Sequence, residues 1–429
     1  MKNVFTNKNF VLIFLGALIS NIGSIFYSFA VSYWILDVTN NDAILQGVYL
    51  GVCGVTYVLC TLFGGVISDK FNKAKVMYIC DYAKAILIGI SALVIFFSQN
   101  NVTINLIVLF VMGIVSNVIA AIFSPAASSI IPLVVEEEQL QQANSYRNVL
   151  GSLQGIIGLF LAGVMYSFLP ITVIFFVVAI SYFLSAISEM FIKYKHQENE
   201  NKLTIKETFQ DIRDGFKYIT TKKALAAFLP ILILLNFFCT PISSNFISYF
   251  VKTDVASNPN YLFNEFIEPE MWGVLFSVVL SISSIIFGMI LSTKVIDNKT
   301  GKSIKKWLFA TGILFMFSAI SYYILVDKLD LLNVFLVIFV ITGFLLGMTL
   351  SYINIPMGTV IQMITDKDKL GKVSSIIDLV CQGLTPIATL LAGFIISYLG
   401  SSTLLFSCSL GILLIASYTF FVKAIDNFE

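Results

Sequence analysis

The chain has 429 residues, of which 58% are hydrophobic and only 12% are charged. Soluble domains carry about 25% charged residues, so this composition excludes a soluble globular protein. The formal net charge of +1 gives no reason to expect nucleic acid as a partner. The six cysteines lie in apolar stretches without C-x-x-C spacing, and the one histidine, His196, lies in a charged loop, so neither a metal site nor a cofactor is expected.

Apolar stretches long enough to cross a bilayer, which takes about 20 residues, follow one another along the whole chain. They predict twelve transmembrane helices in an all-α membrane protein, at 10–36, 43–68, 76–98, 103–131, 141–168, 171–193, 224–251, 271–293, 304–326, 331–361, 371–398 and 401–422. An even number of spans puts both termini on one side. Of the 26 Lys and Arg residues, only Lys252 and Lys328 fall on the opposite side, which predicts cytoplasmic termini.

The charged stretch after the second apolar run, GGVISDKFNKAK from Gly64 to Lys75, marks a membrane boundary. Its spacing of Gly65, Asp69, Lys70 and Lys73 resembles the signature loop of the major facilitator superfamily of secondary transporters, which implies a gating motif. The alternative is that any short cytoplasmic loop collects lysines. Asn72 stands where that family usually has Gly, and we expect it to keep the turn because Asn tolerates positive φ.

A polar segment divides the chain into residues 1–193, a six-helix half; 194–223, a cytoplasmic linker; and 224–429, a second six-helix half. Within the linker, Leu203, Phe209, Ile212, Phe216 and Ile219 recur at helical spacing, and Thr204 with Glu207 forms a capping box. We therefore expect an amphipathic helix along the membrane face.

The two halves repeat each other in sequence. Five residues of the fifth run match five of the eleventh at one constant offset: Leu140, Ala162, Gly163, Ser167 and Leu169 correspond to Leu370, Ala392, Gly393, Ser397 and Leu399. Such a parallel duplication predicts two pseudo-symmetric six-helix bundles. The alternative is chance similarity between two apolar helices.

Further segments narrow the resemblance to the twelve-span macrolide-efflux and enterobactin-exporter branch, and they are CDYAKA (Cys80 to Ala85), SSIIPLVVEEEQLQQAN (Ser128 to Asn144), RDGFKYI (Arg213 to Ile219) and LLNFFCTPI (Leu234 to Ile242). The branch resemblance implies export, with protons as the expected energy source. Drug exporters commonly carry Gly-Pro in the fifth helix, whereas Leu159 occupies the proline position here. We expect helix packing or hinge roles for Gly151, Gly155, Gly158, Gly163, Pro241 and Pro386.

Ionisable residues inside membrane helices are functional candidates because burying charge in hydrocarbon is costly. Four are identified: Asp81, Lys84, Arg147 and Asp378. Asp81 and Lys84 have i, i+3 spacing and are expected to share a helix face. With Asp69 and Lys70, these residues are hypothesised to form a cytoplasmic gate network, the alternative being permanent ion pairs that hold helices together. Asp81 and Asp378 are the candidate proton carriers.

Polar residues near the bilayer midplane predict the substrate cavity, and the candidates are Asn21, Tyr27, Asn117, Asn236, Asn245, Tyr249, Asn354 and Gln382. Amide and aromatic groups without deep carboxylates suit a bulky, mainly apolar solute with a few hydrogen-bonding groups. The alternative for each residue is a bond to a neighbouring helix.

The sequence therefore predicts a monomeric, multi-pass transporter of the bacterial inner membrane that exports an amphipathic small molecule by alternating access, coupled to protons. An uptake carrier or a lysophospholipid flippase on the same fold is the first alternative. A non-transporting sensor or a membrane-embedded enzyme is the second. The sequence favours neither the sensor nor the enzyme, since it shows no recognisable sensor domain and no recognisable set of catalytic residues.

Overall fold

The computed structural model describes residues 4–98, 101–136, 139–193, 205–292, 300–366 and 370–426. In chain order the α-helices are α1 (Lys8–Val38), α2 (Ala43–Lys70), α3 (Lys73–Ser98), α4 (Val102–Ser129), α5 (Ile131–Val134), α6 (Leu140–Phe168), α7 (Ile171–Met190), α8 (Ile205–Thr221), α9 (Lys223–Pro241), α10 (Ile247–Phe250), α11 (Glu270–Ser292), α12 (Thr300–Tyr322), α13 (Leu332–Ile364), α14 (Leu370–Gly383), α15 (Thr385–Leu399) and α16 (Ser401–Thr419). The all-helical fold predicted from the apolar runs is confirmed.

Each of the twelve predicted runs corresponds to helical structure. Within the described chain, 11 helical segments are long and apolar enough to span a membrane. The remaining run lies in α6, where the apolar part, Gln154–Phe168, is shorter. This helix has a polar N-terminal half that carries Arg147, which explains why its apolar part falls short of a full span.

Three runs depart from uniform α-helix. The eighth run ends in a π-helical segment, Tyr323–Lys328, directly after α12. The seventh continues past α9 through a π-helical segment, Ile242–Phe246, then α10 and a second π-helical segment, Val251–Val255. The π-helical geometry begins directly after Pro241, whose ring interrupts the regular hydrogen-bond ladder. The eleventh run divides at Leu384 into α14 and α15, with Pro386 in the first turn of α15, a position that proline favours.

Contacts divide the chain into two compact units. The first comprises Met1–Asn40 and Val52–Phe209, and the second comprises Asn41–Gly51 and Gln210–Glu429. The first residues of α2 therefore pack with the second unit. The boundaries predicted from the sequence, at residues 193 and 223, stay a prediction.

In the first unit, α1 packs closely against α7 through small residues. An added Cβ at Gly23 would overlap the Ser181 hydroxyl, and one at Gly16 would lie 3.3 Å from the Ser185 hydroxyl. Ser185 Oγ donates to the Gly16 carbonyl at 3.1 Å, and Ser188 Oγ donates to the Leu12 carbonyl at 2.9 Å. Small residues let the backbones approach, and hydroxyl groups then bond across the contact.

In the second unit, α11 and α13 are joined in the same way. Ser283 Oγ donates to the Phe344 carbonyl at 2.6 Å, and Ser351 Oγ donates to the Ser284 carbonyl at 2.9 Å. An added Cβ at Gly347 would overlap the Leu280 carbonyl oxygen, so glycine is required at this close approach.

The chain after α16 folds back onto α12. Lys305, which is 2% exposed, donates to the Val422 carbonyl at 2.7 Å and pairs with Asp426 Oδ1 at 2.7 Å. Ile425 is buried, and an added Cβ at Gly301 would overlap its carbonyl oxygen. The segment after α16 is therefore a packed part of the second unit.

A helix, α8, lies within the segment predicted as the linker. Ile219 is buried in a cluster with Leu225, Val373 and Ile376. The apolar stripe of α8 thus packs against helices of the second unit at its C-terminal end. The residues predicted to start this helix, Leu203 and Thr204, lie outside the described residues, as does His196.

Candidate functional site

A cavity of about 470 Å³ lies within the first unit between α1, α3, α4, α6 and α7. Its wall includes four aromatic side chains, those of Phe10, Phe14, Phe123 and Tyr182. Small-molecule sites in proteins usually measure about 300–1,000 Å³, so this volume suits one small solute.

Four charged side chains line the cavity. Asp81 and Lys84 come from α3, Arg147 comes from α6, and Glu189 comes from the last turn of α7. Three of the four predicted intramembrane charges are thereby brought to one cavity. The fourth, Asp378, belongs to the second unit, and its side chain lies outside the described part of the chain.

The two carboxylates are almost completely buried. Asp81 and Glu189 are each 1% exposed, and Asp81 Oδ2 and both oxygens of Glu189 have no hydrogen-bond partner among the described residues. The Ser185 hydroxyl, one turn before Glu189, lies next to the Asp81 carboxyl. Buried polar atoms in folded proteins are nearly always bonded, so unpartnered carboxylate oxygens on a cavity wall indicate a functional site.

The two cations line the same cavity as these carboxylates. Lys84 Nζ lies 4.9 Å from the centroid of the Tyr182 ring, which gives it a cation–π contact. In the portion of the chain that the structure describes, Lys84 forms no ion pair with Asp81, although the two charges interact electrostatically. Arg147 is exposed. The cavity is therefore lined by charges of both signs, and Asp81 and Lys84 interact without forming an ion pair in the described chain.

An amide pair links α1 to α6 at the cavity wall. Gln154 Nε2 donates to the Ala17 and Leu18 carbonyls at 3.0 and 3.2 Å. Asn21 Nδ2 donates to Gln154 Oε1 at 3.3 Å. Of the eight predicted substrate-cavity residues, Asn21 is the one found on this cavity's described lining.

The other predicted substrate-cavity residues have varied surroundings. Asn117 and Asn236 donate to carbonyls of their own helices, those of Gly113 and Leu232, each at 2.9 Å. Asn245 is fully buried and donates to the Thr389 carbonyl at 3.3 Å, which links two helices of the second unit. The remaining four are partly or largely exposed: Tyr27, Tyr249, Asn354 and Gln382.

The predicted gating motif forms the connection from α2 to α3. Lys73 Nζ donates to the Ser68 carbonyl at 3.1 Å and so fastens the end of α2 to the start of α3. Lys70 Nζ lies 5.6 Å from the Phe71 ring centroid. The Asp69 side chain lies outside the described part of the chain.

The expectation that Asn72 adopts positive φ is wrong. Among the described non-glycine residues, positive φ occurs at Asn40, Asn41, Phe263 and Asp330. Asn72 instead caps α3, since its side-chain oxygen accepts from the Lys75 backbone N–H at 3.2 Å. Asn is among the preferred N-cap residues, so it suits this position for a different reason.

The predicted packing glycines fall into two groups. Among the described residues, an added Cβ at Gly151 or Gly155 would meet nothing within 4 Å, and the same is true of Gly65 in the predicted gating motif. An added Cβ at Gly158 would lie 2.8 Å from the Ile25 side chain, and Gly163 is buried. In the signature loop the close contact belongs instead to Gly64, where a Cβ would overlap the Ala121 carbonyl oxygen of α4. Pro241 and Pro386 are both buried, at two of the departures from regular helix described above.

Sequence reasoning missed Glu189 and Gln154. Glu189 lies within the predicted run 171–193 but only four residues before Lys193, so it resembled a residue of the polar boundary. The signal was helical spacing, because Ser185 and Glu189 at i, i+4 place polar groups on one face of an apolar helix.

Known proteins are similar to this chain in sequence and in fold. A family model described as Major Facilitator Superfamily matches residues 13–384. The uncharacterized MFS-type transporter YkuC of Bacillus subtilis is 25% identical over 390 residues, which cover 88% of this chain and 83% of YkuC. Macrolide efflux protein A of Streptococcus pyogenes is 24% identical over 253 residues, covering 57% of this chain and 60% of that protein.

Among solved structures, the nucleoside transporter NupG superposes with a TM-score of 0.71 at 13% identity, covering 96% of this chain and 98% of NupG. Identity at that level shows the fold alone. The family model, in contrast, spans most of the sequence. This multi-pass, all-helical membrane protein belongs to the Major Facilitator Superfamily of transporters.

Proposed function

We propose that the chain exports a bulky, amphipathic small molecule, driven by protons that move in the opposite direction. The observation that supports this most is the cavity of about 470 Å³ in the first unit, which combines aromatic walls with buried carboxylates. Aromatic side chains bind apolar surface, while the carboxylates supply groups able to take up and release a proton.

The solute we propose has a large apolar body and a few hydrogen-bonding groups, as an antibiotic or a siderophore-like compound has. Phe10, Phe14 and Phe123 would contact the apolar body, and Asn21 with Gln154 would meet its polar groups. Macrolide efflux protein A, which is similar to this chain, carries in its name one such class of compound.

The proposed setting is the bacterial inner membrane, with both termini in the cytoplasm and a single chain as the working unit. The distribution of Lys and Arg supports this orientation, because positive residues accumulate in cytoplasmic loops.

The connection from α2 to α3 is proposed to act in gating. Gly65, Asp69, Lys70 and Lys73 would form the motif. Asp81, Lys84, Arg147 and Asp378 would complete a network whose pairs break and re-form as the transporter alternates. Asp69→Ala and Arg147→Ala should then impair transport while leaving folded protein in the membrane, and unchanged transport in both variants would refute the network.

Transport into inverted membrane vesicles tests the export proposal. Vesicles that contain the protein should accumulate a labelled macrolide or amphipathic dye when their interior is acidified, and a protonophore should abolish the accumulation. Empty-vector vesicles are the control. Accumulation of lysophospholipid instead, or solute movement in the uptake direction, would replace export by one of the two alternatives on the same fold.

A further inference from the structure

Glu189 is one of the two buried carboxylates of the cavity, and the proposed export does not yet say which of the two carries the proton. Glu189 is 1% exposed, it lines the cavity, and neither of its oxygens has a hydrogen-bond partner in the part of the chain that the structure describes. Its Cγ lies against α1, where an added Cβ at Gly16 would come within 3.3 Å of it. Glycine at position 16 leaves room for this carboxyl group, which a larger residue would displace.

The groups that surround Glu189 define its electrostatics. On α3, Asp81 is its negative neighbour, and Cys80 is also within electrostatic range. Lys84 on the same helix is positive, and on α7 the titratable neighbour is Tyr182, which contacts Lys84. From α6 the cavity receives Arg147, whereas α1 and α4 line it with neutral residues in the described chain.

Two ionised carboxylates side by side in this environment are strongly disfavoured. Each loses its hydration, Glu189 gains no hydrogen bond in exchange, and the like charges repel at low dielectric. One proton bound to the pair removes the repulsion. The remaining negative charge is then balanced by Lys84, which interacts with Asp81.

We propose that Asp81 and Glu189 form a carboxylate pair that holds one exchangeable proton, with Glu189 as the group that binds and releases it. This inference rests on the proposed proton-coupled export and names its coupling site. Protonation converts the Glu189 carboxylate to the neutral acid with a proton taken from water on one side. Release returns that proton to water on the other side and leaves the carboxylate.

The first test separates proton coupling from solute handling in membrane vesicles. Glu189→Gln should lose accumulation driven by a pH gradient but keep exchange of labelled for unlabelled macrolide, because exchange needs no net proton movement. The matched control is Glu136→Gln, a change at an exposed carboxylate outside the cavity that should leave both activities unchanged. Gradient-driven accumulation that persists in Glu189→Gln would overturn the proposal.

The second test does not depend on transport. Infrared difference spectra of the purified protein at low and high pH report protonated buried carboxyl groups directly. The wild-type protein and Glu136→Gln should show one such band, Glu189→Gln should lack it, and Asp81→Asn should change the pH at which it titrates because a neighbouring charge is gone. A band unchanged in Glu189→Gln would refute the pair even if export is proton-driven. Absence of proton-driven export with these band changes intact would refute only the proposed function.

Gly16→Ala provides a variant that keeps every charge. The added methyl group would press on the Glu189 side chain and the Ser185 hydroxyl, each 3.3 Å away. It should shift the pH midpoint of the infrared band and of transport together. A loss of stability with both midpoints unchanged would indicate packing alone and count against the proposal.

Discussion

Among the described residues, the two units differ in whether their buried charged side chains have bonding partners. In the second unit Lys305 is paired with Asp426 at 2.7 Å, and Lys252 is paired with Glu270 at 2.6 Å. In the first unit Asp81 and Glu189 are each 1% exposed, yet three of their four oxygens have no hydrogen-bond partner within the described ranges. Paired buried charges hold structure together, whereas an unpaired buried charge costs stability and persists where function needs it.

The contrast extends to a partly buried carboxylate of the second unit. Asp254 Oδ2 accepts from the Tyr322 hydroxyl at 2.9 Å and from the Thr253 hydroxyl at 3.1 Å. Burial alone therefore does not leave a carboxylate unbonded in this protein. Substitutions should consequently affect stability in the second unit and transport in the first.

The largest effect on stability is expected for Lys305→Met. It leaves the Val422 carbonyl and Asp426 without their donor and should lower the free energy of unfolding by about 2–4 kcal/mol. Denaturation of the purified protein in detergent measures the change. Lys306→Met, at an exposed neighbouring position, is the control and should be nearly neutral. Equal effects of the two variants would contradict a structural role for the buried pair.

A smaller loss of stability is expected for Lys252→Met. The side chains of Lys252 and its partner Glu270 are 10% and 12% exposed, whereas that of Lys305 is 3% exposed. Removing one partner of this pair should cost about 1–3 kcal/mol, because Glu270 is left without its cation. The double variant Lys252→Met with Glu270→Leu should recover part of that loss, as measured by the same denaturation experiment. If the double variant lost more free energy of unfolding than the two single variants together, Lys252 and Glu270 would not act as a pair.

Asp81→Asn should differ from Lys305→Met and Lys252→Met in its effect on stability. It removes a buried charge but keeps the shape, so the free energy of unfolding should stay within about 1 kcal/mol or rise. Transport driven by a pH gradient should nevertheless fall. Denaturation and vesicle transport on the same preparation check the two halves of this prediction. A large loss of stability would place Asp81 with the structural charges and weaken the contrast between the units.

The smallest effect is expected for Lys222→Ala. Lys222 pairs with Asp366 at 3.5 Å, but the two side chains are 35% and 50% exposed. Exposed pairs contribute about 0–1 kcal/mol, so the denaturation midpoint should hardly change. Comparison with Lys305→Met and Lys252→Met shows whether an ion pair of the second unit must be buried to contribute to stability.

The apolar runs were sufficient to predict the helices because a bilayer imposes length and composition on every span. They did not predict the π-helical segment after Pro241 or the break at Leu384. In both places tertiary packing decides how the backbone accommodates a proline, and the hydropathy of the sequence does not reveal the outcome.

The charged cluster was predictable in part. Asp81, Lys84 and Arg147 stand out in apolar sequence, and they do line one cavity. Glu189 was missed because its importance comes from α1 and α3, which lie far away in sequence and remove its access to water. Similarly, the sequence predicted Gly65 as part of the gating motif, but only the position of α4 reveals that the neighbouring Gly64 makes a close approach.

The contact between α1 and α7 has a consequence for the order in which the protein is made. Ser185 and Gly16 are 169 residues apart in sequence, and Asn9 and Lys193, which also bond, are 184 apart. Contacts of such long range form late, because the intervening chain must first be placed. During synthesis the helix that carries Asp81 enters the membrane before its partner Glu189 exists. The contacts that bring Glu189 to the wall shared with Asp81 can therefore form only after α7 has been synthesised.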